Sequence, residues 1–451
     1  MARLRILLGA LALAAVAAVP FLFPAAIQAA ALPTTAPGWY GYHGGGTNSG
    51  VSTTMPAAGP LHLVASRRLD GAVYGSPIVA RGLVIAATEN DSVYGMNTAG
   101  TVLWRSHLGS PSPASQRPCG DISPLGITGS PAYSASTGSV YVVAETGTGG
   151  VHHTLISLDA LTGHVKWRRS VDFSGVSATA MQQRGALAIA GGRVWVTFGG
   201  LAGDCGNYKG RLIGIPLTGV GNAVTYTVPT AREGGMWQPS GPVVDHSGHL
   251  LVAVGNGASG PGDPYDHSDS VLQLSTSAVL QQFFAPSGWA SENANDVDLG
   301  SIGPGIVGSA WLVQGGKSGR VYVLRQGHLG SIGGQVSSFL VGSPSFGGTA
   351  VQGSVVYLPC VNGIRALRVD STGHLHRIWV SRSTVTGSPV VGGGRIWAMA
   401  PGLGVLYSLS TATGGAVSSI AVGTTNRFAT PALYRDLVIV PTLAGIAIVR
   451  D

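Results

Sequence analysis

Apolar and polar residues alternate on both sides of a Thr-Gly pair in Ser157-Leu158-Asp159-Ala160-Leu161-Thr162-Gly163-His164-Val165-Lys166-Trp167. A period of two predicts strands, and a glycine free to take φ > 0 predicts a tight reversal between them. Two more short runs, Gly129-Ser130-Pro131-Ala132-Tyr133 and Ser139-Val140-Tyr141-Val142-Val143, stand ahead of it with turn residues between. Together they predict one antiparallel unit of four strands.

The unit recurs. A small residue, usually proline, opens each innermost strand, and Pro77, Pro131, Leu187, Pro242, Pro304, Gly348, Pro389 and Pro431 are equivalent positions. They lie 54, 56, 55, 62, 44, 41 and 42 residues apart, which makes eight units. Second strands follow after short glycine turns, as in Leu83-Val84-Ile85-Ala86 and Ile396-Trp397-Ala398-Met399. Four short strands every 40 to 60 residues predict the blades of an all-β, eight-bladed β-propeller. After Pro431 there is room for three strands only, while an orphan strand, Leu61-His62-Leu63-Val64-Ala65, precedes the first unit. Placed outermost in the last blade, the orphan seals the ring and removes an exposed sheet edge.

The Leu-Asp-x-x-Thr-Gly-x-x-x-Trp pattern after a Ser-Pro strand resembles the quinoprotein-type repeat of pyrroloquinoline quinone dehydrogenases and their non-catalytic relatives, over residues 61–451. Stretches such as Gly199-Gly200-Leu201-Ala202-Gly203-Asp204-Cys205-Gly206 and Asp298-Leu299-Gly300-Ser301-Ile302-Gly303-Pro304 are similar to exported propellers of this type from actinobacteria. The resemblance implies either a binding or assembly scaffold, or a dehydrogenase of alcohols or sugars that uses pyrroloquinoline quinone with calcium. It also implies, for the enzymes, a carboxylate base and often a disulfide between adjacent cysteines. Cys119, Cys205 and Cys360 are not adjacent, so that disulfide is excluded here and the non-catalytic reading leads.

Composition bears on compartment. The chain of 451 residues holds 70 Gly and only 10% charged residues, which suits many tight turns and few helices. In residues 1–31, Arg3 and Arg5 precede the apolar run from Ile6 to Phe23, and Ala29, Ala30 and Ala31 follow. That is the layout of an export signal, or of an N-terminal membrane anchor if it is kept. The mature protein is expected to be secreted or held at the outer side of the cytoplasmic membrane, as a monomer. Removing Arg3 and Arg5 takes the formal charge from +7 to +5, with the remaining cations scattered, so nucleic acid is not an expected partner. An extracellular protein, a cell-wall fragment or a small ligand is. Residues 32–60, rich in Pro, Gly and Thr, read as an irregular arm whose cluster Trp39-Tyr40-Gly41-Tyr42-His43 either packs on the body or contacts a ligand.

In a four-stranded blade the outer-to-inner and second-to-third connections emerge on one face. The long ones, residues 106–128, 145–153, 199–210, 255–269 and 286–300, all belong to that face and to the first five blades, which marks it as the functional side. They and their neighbours present Gln183, Arg184, Asp204, Trp237, Gln238, Asn295, Asp298 and Arg427 as ligand-binding candidates, with Asn295, Asp296 and Asp298 as oxygen donors to a hard cation. Cys119 and Cys205 lie in long loops on this face, in a compartment where disulfides persist, and are expected to pair, leaving Cys360 buried and free. Other matches fail on context. Gly316-Lys317-Ser318 lacks the first glycine and the helix of a phosphate loop and reads as a hairpin turn; Asp263, Asp266 and Asp269 look like a calcium loop, but Asp269-Ser270-Val271 aligns with Asp91-Ser92-Val93 of the first blade and reads as a strand-entry turn. His152, His153, His374 and His376 have no third metal ligand at a suitable spacing and read as surface residues. Trp104, Trp167 and Trp379 keep the repeat phase and read as blade packing, whereas Trp237 is out of phase. No Gly-x-Ser-x-Gly elbow occurs, and a lyase or hydrolase assembled from several blades would leave no local motif.

Overall fold

A computed structural model describes residues 38–451; the expected signal or anchor over residues 1–31 lies outside the described residues. Eight sheets are present among the described residues. Blade one consists of the strands Ile78–Ala80, Leu83–Ala87, Ser92–Met96 and Val102–His107, paired antiparallel in that order. Blades two to seven repeat this from inner strands at Ala132–Ser134, Ala188–Ala190, Val243–Val244, Gly305–Val307, Ala350–Gln352 and Val390–Gly392. Each begins one or two residues after the small residue that marks it, because proline has no N–H to lose at the start of a strand.

Blade eight is built from both ends of the chain. Ala432–Tyr434, Leu437–Thr442 and Gly445–Arg450 supply three strands, and His62–Arg68 pairs antiparallel with the last of them, Leu63 opposite Val449 and Arg67 opposite Ile446. The strands bury almost wholly apolar rows between neighbouring blades, and only the outer strands alternate with solvent.

The blade-to-blade contact explains the repeat. Gly163, at φ 72, turns blade two between its third and fourth strands directly under the Trp104 ring of blade one, and any Cβ there would strike that ring. Trp167 covers Gly219 of blade three, and Trp379 covers Gly414 of blade seven, in the same way. At the seam, Ala65 of the N-terminal strand takes the tryptophan's place over Gly100, and Arg67 Nε donates to the Gly100 carbonyl at 2.9 Å.

The arm does more than pack on the body. Inner strands leave one edge unpaired toward the channel, and the arm supplies hydrogen bonds to it. The Val79 N–H donates to the Trp39 carbonyl (2.8 Å), Tyr133 to Tyr40 (2.8 Å), Val244 to Gly46 (2.9 Å), Val351 to Ser49 (2.8 Å) and Val391 to Gly50 (2.7 Å). His43, 1% exposed, hydrogen-bonds Thr430 through Nε2 at 2.9 Å. One chain segment therefore ties together the inner edges of five blades and fills the channel.

Two expectations need correction. His153 is not on the surface: it is 1% exposed, with Nδ1 at 2.9 Å from Asp172 and Nε2 at 3.2 Å from Glu145, two carboxylates that make a buried imidazole tolerable. The loop expected over residues 145–153 is shorter than that, a turn of residues 147–151, since Ser139–Thr146 and His152–Asp159 pair to their ends.

Candidate functional site

The outer-to-inner and second-to-third connections do share a face, and near its centre lies a cavity of about 190 Å³. Its wall comes from five connections on blades three, four and five, plus two that lead into blades three and eight. Arg184, Asp204, Trp237, Asp298 and Arg427 line it, as expected; Asp296 does too. Gln183 and Gln238 do not line it; they are 5% and 0% exposed, Gln183 Nε2 donating to the Gly185 carbonyl at 2.5 Å and the Gln238 side-chain amide having no partner among the described residues. Asn295 points elsewhere: it ends the helix Trp289–Ala294 and donates to the Ser291 carbonyl at 2.8 Å.

The acidic and basic groups are sorted within the cavity. Lys317 is held by Asp298 and by Asp296, the latter at 2.6 Å. Burial would lower the Lys317 ammonium, but these two carboxylates outweigh it and raise it. Asp298, with 8% of its side chain exposed, also accepts the Asn256 N–H at 2.8 Å; burial nonetheless holds its carboxyl above the ordinary range. Asp269 lies behind it, wholly buried, accepting the Leu299 N–H at 2.9 Å, and burial plus the Asp298 charge push it far up. On the blade-three side, Tyr208 donates to Asp204 at 2.5 Å, while Glu233 is paired with Arg232.

Arg184 and Arg427 stand apart from this pairing. Both guanidiniums lie over the Phe428 ring, at 4.5 and 4.6 Å from its centre, and Arg427 also covers Phe346 at 4.9 Å. Trp237 completes the aromatic cluster, 6.5 Å from Phe346 and 6.4 Å from Phe428. Glu233 is paired with Arg232, and Asp296 and Asp298 with Lys317; Asp121 and Glu89 act on Arg184 only at longer range, and neither arginine makes an ion pair among the described residues. Burial, and after the partial offset of Asp121 the charge of Arg427 itself, hold the Arg184 guanidinium below its ordinary value. Two like charges stacked on one ring suit an anion placed between them.

Sequence reasoning missed Lys317, Glu233, Tyr208 and Asn256. Residues 315–319 do form a hairpin turn, between Trp311–Gln314 and Arg320–Arg325, but a turn on this face delivers its lysine to the cavity. The repeat period alone could have flagged it, since it falls at a second-to-third connection.

The expected Cys119–Cys205 disulfide is present, with Cα atoms 6.2 Å apart, and Cys360 is buried and free. It ties the loop that carries Leu201 to Asp204 to the long loop before blade two. A calcium ion takes six to eight oxygen ligands. The wall offers the carboxylates of Asp204, Glu233, Asp296 and Asp298 and the buried, unpartnered Asn256 Oδ1, but Asp296 and Asp298 are held by Lys317, Glu233 by Arg232 and Asp204 by the Tyr208 hydroxyl, and among the described residues no group of three His, Cys, Asp or Glu is arranged to hold a metal. These side chains fit a planar or compact anion; they do not by themselves form a calcium cage.

Fold and repeat together define a quinoprotein-like eight-bladed β-propeller with a charged mouth. Residues 62–126 match the family model described as outer membrane protein assembly factor BamB. Quinohemoprotein alcohol dehydrogenase from Comamonas testosteroni superposes with a TM-score of 0.68 at 15% identity, over 92% of this chain and 80% of that one. Quinohemoprotein alcohol dehydrogenase ADHIIG from Pseudomonas putida HK5 gives 0.69 at 13% identity with the same coverage. BamB from Moraxella catarrhalis gives 0.58 at 17% identity, over 86% of this chain and 99% of that one. At these identities the likeness is one of fold. No curated protein matches the sequence, and no helix of the described residues is long and apolar enough to cross a membrane.

Proposed function

We propose that the protein is an exported binding scaffold whose channel mouth holds a small ligand bearing two or more anionic groups. The observation that carries this is the Arg184 and Arg427 pair, stacked on Phe428 without acidic partners among the described residues. The aromatic cluster of Trp237, Phe346 and Phe428 offers an apolar surface beside the charges, a combination suited to compact carboxylates. The fold is shared with BamB, named for assembly, and with alcohol dehydrogenases, so fold alone does not choose between binding and catalysis. Export is supported by the layout of residues 1–31 and by a disulfide suited to an oxidising compartment. In a thermal-shift assay, citrate is expected to stabilise the wild type and to lose that effect in Arg184→Gln and Arg427→Gln; equal stabilisation of all three contradicts the reading.

One observation favours a second reading, a dehydrogenase of alcohols or sugars dependent on pyrroloquinoline quinone and calcium. Asn256 Oδ1, without a partner, stands beside Asp298 in a wall that also contains Trp237. Titration with the quinone, with and without calcium, separates the two. Stoichiometric, calcium-dependent uptake of the chromophore followed by dye reduction with an alcohol would replace the scaffold reading.

A further inference from the structure

Beyond the blade-three wall of the mouth lies a larger cavity of about 570 Å³, lined by Ser177, Thr179, Asn207, Tyr208, Lys209, Arg211 and Thr227 together with small and apolar residues. No aspartate or glutamate lines it. Lys209 and Arg211 are two residues apart at the start of the strand Arg211–Pro216, which puts both side chains on one side of the chain. Thr227 is the direct cross-strand neighbour of Arg211. The Arg211 guanidinium lies over the Phe173 ring at 4.5 Å, and its Nε is buried with no acceptor. The nearby acids are committed elsewhere, Asp172 to His152 and His153 and Glu233 to Arg232, so neither Lys209 nor Arg211 is paired among the described residues.

The other polar lining is hydroxyls and one amide, Asn207. Ser177 and Thr179 bond each other at 2.7 Å, which leaves each hydroxyl with capacity for a further partner. Tyr208 has committed its hydroxyl to Asp204 on the mouth side, so what remains for this cavity is its ring. Two free cations, three aliphatic hydroxyls, the Asn207 amide, an aromatic ring and no acid form the complement of a polyhydroxylated anion.

We propose that this cavity is a second site, which binds an acidic sugar: a carboxylate or phosphate between Lys209 and Arg211, with sugar hydroxyls met by Ser177, Thr179 and Thr227. The site is independent of the mouth, whose cations are Arg184, Arg427 and Lys317. Isothermal titration of the full chain with sodium glucuronate, glucose 6-phosphate and glucose tests it. At least one of the two acids is expected to bind about tenfold or more tightly than glucose, and to lose about tenfold in Lys209→Gln and in Arg211→Gln. Arg184→Gln is expected to leave that binding unchanged. The proposal is overturned if neither acid binds, if glucose binds as well as both acids, or if the loss follows Arg184→Gln instead of Lys209→Gln. The half-buried Lys209→Gln change, which breaks no ion pair and no aromatic stack, decides the matter even if Arg211→Gln, which also breaks the stack on Phe173, fails to fold.

Discussion

Gly163 shows how one residue couples two blades. At φ 72 a side chain is disfavoured by the backbone itself, and the Trp104 ring above leaves no space for a Cβ. Gly163→Ala is expected to cost about 2 kcal/mol or more, read as a lower urea midpoint at unchanged slope; a neutral substitution would mean that the ring moves freely. His153 sets a pH dependence. Burial would lower its pKa, but Asp172 and Glu145 outweigh that and hold it at about 9. Because the folded value lies above the unfolded one, its contribution is complete below pH 6.5 and is lost as the pH rises through 9. Asp91, lifted to about 9 by burial and by the charges of Glu89 and Glu145, acts in the same direction, since the unfolded chain ionises it freely. Unfolding free energy is therefore expected to fall by on the order of a few kcal/mol between pH 6.5 and 9. His153→Gln should reduce that slope to the part Asp91 supplies, and a wild-type slope of zero or opposite sign contradicts the assignment. Glycine before tryptophan was readable as a motif; the depth at which His153 lies was not, because burial depends on which strand length a loop of ambiguous composition adopts.

Two elements close the structure. The strand His62–Arg68 supplies the fourth position of blade eight, and the alternation in residues 61–65 together with the three-strand remainder after Pro431 made that legible. Deleting residues 61–69 should lower the melting temperature and produce aggregates in light scattering, since it exposes the Gly445–Arg450 edge; a monodisperse truncation with an unchanged melting point contradicts the closure. The disulfide closes a segment separated by 86 residues, so removing it with Cys119→Ser is expected to cost about 2 to 4 kcal/mol. Non-reducing peptide mapping should recover a Cys119–Cys205 peptide pair, and a bridge containing Cys360 would contradict the pairing. The arm was the element least legible in the sequence. Its hydrogen bonds run to the inner strands of blades one, two, four, six and seven, and irregular backbone of this kind carries no period to read.

At the scale of the molecule, the ring places elaborated loops on one face and the sealing arm in the channel behind it, so a rigid disc presents one charged mouth. That the loops converge was predictable from topology, and five of the eight expected residues line the cavity. Which charges remain free was not predictable, because it depends on Lys317 capturing Asp296 and Asp298 and on Arg232 capturing Glu233. The free pair, Arg184 with Arg427, is the centre of the functional account. Isothermal titration of citrate into the wild type, Arg184→Gln and Arg427→Gln at low and high salt tests it most directly. Binding to the wild type that weakens with salt and falls about tenfold or more in either variant is the predicted result; no binding, or equal affinity in all three proteins, would contradict it.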